Sequence, residues 1–171
     1  MKKTCILLAL ILSSGIYTTS LAENDPSNKD RTETTNTNKG EQTFIKYADE
    51  CLNIISEAAK KESITGATMI AFIPGDATSS WISKMKVVGR LADDKSNFLA
   101  IIYAKAAEMA VTLRDSGNEE RKSITGELGW QGGAILKVNG GYLVGAFSGG
   151  TGQQDYDVSK LGLEWLAEKY K

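Results

Sequence analysis

The sequence predicts a single α+β domain in which helices cover an antiparallel sheet built from hairpins. Three observations predict it. Two pairs of short β-favouring runs are each joined by a glycine-containing turn; three stretches carry apolar residues at three-and-four spacing; and hairpins and helices alternate along the chain. About 130 residues, from 43 to 171, carry this pattern, the size of one ordinary domain.

The chain opens with Met1-Lys2-Lys3, an apolar run from Cys5 to about Ile16, and small residues at Ser20 and Ala22. Residues 1–22 therefore read as a secretory signal peptide cut after Ala22, too short to remain as a membrane span. A secreted or periplasmic destination follows, with no membrane span after cleavage. Residues 23–42 are Asn, Thr, Asp, Glu, Lys and Ser with almost nothing apolar, so burial has little to offset the entropy of ordering them, and a flexible leader is expected.

The folded domain, 43–171, begins with Phe44, Tyr47, Ala48, Cys51, Leu52, Ile55, Ala58 and Ala59, the stripe of a helix over about 43–62. Cys51 lies in that stripe and reads as core. Runs at 66–73 and 79–88 flank Pro74-Gly75-Asp76 and predict an antiparallel hairpin. A second amphipathic helix is expected from Ser96 to about Asp115, with Asp94 and Ser96 as capping candidates and Phe98, Leu99, Ile102, Ala106, Met109, Ala110 and Leu113 on its apolar side. Residues 116–131 show no sustained period and predict a long loop, a length that often signals function. Residues 133–138 and 142–148 alternate around Asn139-Gly140-Gly141, a strong hairpin signal. Gly149-Gly150-Thr151-Gly152 then leads into a last helix carrying Tyr156, Val158, Leu161, Leu163, Trp165 and Leu166. Trp81 and Trp165 are expected in the core.

Composition excludes several functions. The chain contains no histidine, which rules out a Ser-His-Asp triad, a Cys-His pair and HExxH zinc chemistry. Removing residues 1–22 takes away two lysines and no acid, leaving 18 basic against 21 acidic residues, a formal charge of −3. Nucleic acid is not an expected partner. One cysteine remains after that cut, so no disulfide within the chain is possible and stability must come from packing. With the usual acid-base and nucleophile constellations missing, an enzyme is the reading with least support.

The stretch from Gly132 to Asp155 runs through Gly132-Gly133, a strand, a glycine turn, Val144-Gly145-Ala146, Ser148-Gly149-Gly150 and Gln154-Asp155. It resembles the signature of the GlcG/HbpS-like, haem-degrading family; Met85 after a second strand and Lys105-Ala106 within the second helix extend the likeness over about residues 45–171. The resemblance implies a profilin-like domain, a central antiparallel sheet with helices on both faces, that assembles as a homo-oligomer. It also implies haem or another tetrapyrrole as a cofactor, held without histidine, since the chain has none.

Candidate binding residues follow from both lines. The Gly149, Gly150, Thr151 and Gly152 turn offers backbone N–H groups at a helix start, where an anion such as a carboxylate is favoured. Lys105 sits among apolar neighbours, as a charge directed at a ligand carboxylate would. Trp130 and Tyr142 flank the paired glycines and are candidates to line a flat apolar pocket, while Met85 and Met109 are the weak candidates for a haem iron. Two functions remain: a binding protein for haem or a small carboxylate-bearing ligand, and an interaction module for a protein partner in the cell envelope.

Overall fold

A computed structural model describes residues 26–171, with side chains from Thr37 onward. The expected signal segment, 1–22, lies outside the described residues. The elements run α1 (Pro26–Lys61), β1 (Gly66–Pro74), β2 (Ile82–Val88), α2 (Phe98–Thr112), β3 (Gly133–Val138), β4 (Gly141–Ser148) and α3 (Gly152–Ala167), closed by a 3₁₀ turn, Glu168–Tyr170. The four strands form one antiparallel sheet in the order β2-β1-β4-β3, so the fold is α+β as the sequence predicts.

The central strands explain their own composition. β1, GATMIAFIP, is buried almost from end to end because both of its faces are covered. Its Ile70 and Phe72, with Leu143 and Phe147 of β4, meet α1 and α3 through Phe44, Leu52, Ile55, Leu163 and Leu166. The alternate set, Met69, Ala71 and Ile73 with Val144 and Ala146, meets α2 through Phe98, Ile102, Ala106 and Met109. Two helices cover one face and one helix covers the other.

Three local expectations change. α1 starts at Pro26, so residues 26–42, expected as a flexible leader, are helical along much of their length. Its buried anchor is Gly40: the bare glycine presses on the Phe72 ring, and its carbonyl accepts a 3.0 Å hydrogen bond from Tyr170 Oη. A glycine anchor carries no apolar signal, which hid it from hydropathy. Proline at the first helical position suits the start of the helix, since its missing N–H would have had no helical partner there. The cap of α2 is Asn97, whose side chain accepts from Ala100 N at 3.0 Å, in place of Asp94 or Ser96. Asp93 instead organises the turn before it, accepting from the amides of Lys95 (2.9 Å) and Ser96 (2.8 Å). Trp81 and Trp165, expected in the core, are half-buried at its margins.

Cys51 is fully buried as expected. Its thiol donates to the Gly162 carbonyl at 3.2 Å, and burial pushes its pKa up to about 12, so the thiolate form is suppressed.

Candidate functional site: a cleft floored by a buried ion pair

A cleft of about 500 Å³ opens where the N-terminal half of α2, the end of the 116–131 loop, the end of β4 and the start of α3 converge. α2 supplies Phe98, Ile101 and Lys105, one stripe at three-and-four spacing. The loop supplies Gly129, Trp130 and Gln131; β4 and the turn after it supply Ser148, Gly149 and Gly150; α3 supplies Gly152 and Asp155. Asp93 and Ser96, before α2, complete the lining.

The floor is a salt bridge. Lys105 Nζ lies 2.9 Å from Asp155 Oδ2 and donates to the Phe147 carbonyl at 2.7 Å, with only 3% and 4% of the two side chains exposed. The other carboxylate oxygen, Asp155 Oδ1, accepts from Gly150 N at 2.9 Å. Burial pulls the Lys105 ammonium below its ordinary pKa against the pull of Asp155. Burial likewise raises the Asp155 carboxyl, opposed by Lys105 and the amides of Gly150 and Gly149. Gly132 makes room for the pair. At φ +116° a Cβ there would collide with Lys105 Nζ and lie 2.5 Å from Asp155 Cβ. Its carbonyl accepts from Ser159 Oγ (3.2 Å), which also donates to the Asp155 carbonyl at 2.6 Å.

The glycine turn is shaped by the helix that follows. Thr151 caps α3 in a capping box with Gln154: Thr151 Oγ1 accepts from Gln154 N at 3.3 Å while Gln154 Oε1 accepts from Thr151 N at 3.1 Å. Asp155, in the first turn, folds back to the Gly150 amide. The chain's own carboxylate thus occupies the position between Lys105 and the turn that the sequence reading reserves for a ligand anion.

Five of the seven expected binding residues meet here: Lys105, Gly149, Gly150, Gly152 and Trp130. Thr151 is exposed and its hydroxyl serves the cap. Tyr142 lies elsewhere, six residues before Ser148 on β4, about 20 Å along the strand, half-buried with the Lys137 ammonium 5.4 Å from its ring centre. Met109 is buried with its thioether against Gly133, and Met85 is half-buried opposite Met69 on β2; neither lines the cleft. Sequence reasoning missed Asp93, Ser96, Phe98 and Ile101 as cleft residues. The Phe98-Ile101-Lys105 spacing was the available signal, masked because Phe98 also belongs to the core stripe.

The 116–131 loop is held at both ends and in the middle. Ser116 N donates to the Gly133 carbonyl (3.1 Å), its hydroxyl donates to the Trp130 carbonyl (2.9 Å), and that hydroxyl accepts from Gly133 N (2.9 Å). Arg121 grips Glu127 through two bonds of 2.7 and 2.6 Å, and Glu127 also accepts from Ile124 N at 3.1 Å. Arg121 holds the Glu127 carboxyl below its ordinary 4.5. A depressed acid contributes stability that is complete above its unfolded pKa and lost as pH falls through the folded one. The loop is therefore expected to loosen below pH 4.5, read as a shift in Trp130 fluorescence that Glu127→Gln shows already at neutral pH. An unchanged wild-type signal down to the onset of global unfolding contradicts this.

Haem fits this cleft poorly. Its lining side chains include no histidine, cysteine, methionine or tyrosine, and its one amine, Lys105, is committed to Asp155 and Phe147. Among the described residues no group of three or more His, Cys, Asp or Glu side chains is placed to hold a metal ion. No described helix is long and apolar enough to cross a membrane.

Fold and site together define an α+β domain with a polar cleft beside a glycine turn. No family model matches the chain, and no curated protein matches it. Among solved structures it is distantly similar to one described as the crystal structure of HbpS, at 20% identity over 71% of this chain and 87% of that chain, with a TM-score of 0.39.

Proposed function

We propose that the chain is a small-ligand-binding protein whose site is this cleft, and that its ligand is a compact molecule with a flat apolar face and a neutral or cationic polar end. The observation that carries the reading is the internal balance of the floor. Lys105 is neutralised by Asp155, and the Gly150 amide is taken. What remains is Asp93, whose Oδ1 accepts from the Lys95 and Ser96 amides and whose Oδ2 has only a long, exposed partner, Arg90 at 3.8 Å, and Trp130, 46% exposed. An aromatic face beside a carboxylate suits a cation or a hydrogen-bond donor better than an anion. The secretory reading of residues 1–22 assigns the protein an extracellular or periplasmic place of action.

Three probes of one shape test the charge preference: benzylamine, benzyl alcohol and benzoate, followed by NMR at the Trp130 indole N–H, assigned with Trp130→Phe. Fragments of this size bind weakly, at about millimolar affinity. Benzylamine is expected to shift that resonance saturably and at lower concentration than benzoate. No shift with any probe, or benzoate binding tightest, overturns the reading.

The place of Asp155 favours one second reading. A ligand carboxylate, a haem propionate included, displaces Asp155 from Lys105 and the turn amides. In that case benzoate binds the wild type, and Asp155→Ala strengthens it.

A further inference from the structure

A second cavity adjoins the cleft. It measures about 260 Å³ and lies where the start of the 116–131 loop faces the first turn of α3, with Asp115, Asn118, Gln153 and Tyr156 in its lining. Gln131 and Gly152 line both cavities. Gly152 has no side chain to divide them, and a Cβ added there would come within 2.9 Å of Gln131 Cβ and 3.2 Å of Gln131 Oε1. What stands between the two is the Gln131 side chain, laid across a bare glycine. No hydrogen bond among the described residues holds its exposed amide, which is therefore free to serve a ligand on either side. Small-molecule sites occupy about 300–1,000 Å³. The cleft, at about 500 Å³, falls inside that range and the second cavity falls below it, so the smaller space reads as an annex of the larger.

The chemistry of the annex is neutral. Lys105, the only basic side chain lining either cavity, is held by Asp155 and the Phe147 carbonyl. Asp115 is taken as well: Oδ1 accepts from Ile135 N at 2.9 Å and Oδ2 from Tyr156 Oη at 3.0 Å. What is left over is a mixture of amide donors and acceptors. Asn118 gives one N–H to the Asp115 carbonyl at 2.9 Å and keeps the other; Gln153 gives an N–H to Asp157 at 2.8 Å and keeps its carbonyl oxygen; Gln131 keeps both kinds. An anion would find no free cation here, and a cation no free carboxylate. A hydroxyl, which donates and accepts at once, matches the whole set. In the cleft next door the flat Trp130 ring is 46% exposed. A pyranose presents C–H bonds on one face, suited to an aromatic ring, and hydroxyls around its edge.

We propose that the cleft and its annex form one site for an uncharged disaccharide, with one ring stacked on Trp130 and the other in the annex, hydrogen-bonded by Asn118, Gln131 and Gln153. The inference rests on the reading of the cleft as a small-ligand site, and adds to it the class of ligand and a second subsite.

The test is NMR titration with maltose, cellobiose and diacetylchitobiose, each beside its own monosaccharide, glucose or N-acetylglucosamine, followed at the Trp130 indole N–H and the Asn118 backbone amide. At least one disaccharide is expected to shift both resonances and to bind about tenfold more tightly than its monosaccharide, which shifts Trp130 alone. Gln153→Trp, at an exposed position on α3, fills the annex. It is expected to bring that disaccharide down to the affinity of the monosaccharide while leaving the benzylamine shift at Trp130 intact, which also shows that the variant is folded. If benzylamine binds and no disaccharide exceeds its monosaccharide, this inference fails and the cleft reading stands. A disaccharide that leaves Asn118 unmoved, or whose advantage survives in folded Gln153→Trp, overturns the second subsite. A Trp130 signal unmoved by every sugar and by benzylamine removes the cleft reading and this inference together.

Discussion

Replacing Lys105 by methionine is expected to destabilise the protein by about 3–5 kcal/mol, the cost of leaving a buried carboxylate without its cation. Asp155 is 3% exposed, and without Lys105 it keeps only backbone partners. Burial already pushes Lys105 down and Asp155 up, so removing either partner leaves the other's charge opposed by its surroundings. It follows that the double replacement Lys105→Met with Asp155→Leu should recover most of the loss or exceed the wild type. Urea unfolding of the three proteins measures this directly. If the single variant loses less than about 1 kcal/mol, the value of an exposed pair, the bridge is open to water and the floor of the cleft is not as described.

The second large effect is expected at Gly132→Ala. The residue sits at φ +116°, a conformation open to glycine and strained for alanine, and the added methyl would strike Lys105 Nζ and Asp155 Cβ at once. Backbone strain of about 1–3 kcal/mol adds to overpacking of about 1–3 kcal/mol, for a loss of about 2–6 kcal/mol in the same unfolding experiment. The contrast is Gly126→Ala. Gly126 also has a positive φ, +97°, but nothing lies within 4 Å of its would-be methyl, so only the strain is expected there. Equal losses at the two positions would mean that backbone conformation alone, and not the crowding around the ion pair, sets the demand for glycine at 132.

Much of the fold was legible because hydropathy records burial. The alternation in 133–138 and 142–148 and the Asn139-Gly140-Gly141 turn foretold the β3–β4 hairpin almost to the residue, and Cys51 was placed in the core by its spacing alone. The start of α1 was illegible because its buried anchor is Gly40, a residue hydropathy does not score.

For the site, sequence placed Lys105, Trp130 and three of the four turn residues together, since a charge within an apolar stripe and glycines before a helix are local signals. It separated neither Tyr142 nor Thr151 from them, because strand distance and cap geometry are not written in spacing. Sequence by itself determined the α+β class, the absence of histidine chemistry and the hairpin order, all of which follow from composition and period. Only the tertiary structure decided that Asp155, fifty residues from Lys105, would take the ammonium and the Gly150 amide for itself. A buried charge must find an opposite charge, and which one it finds depends on where the sheet brings α2 and α3 together.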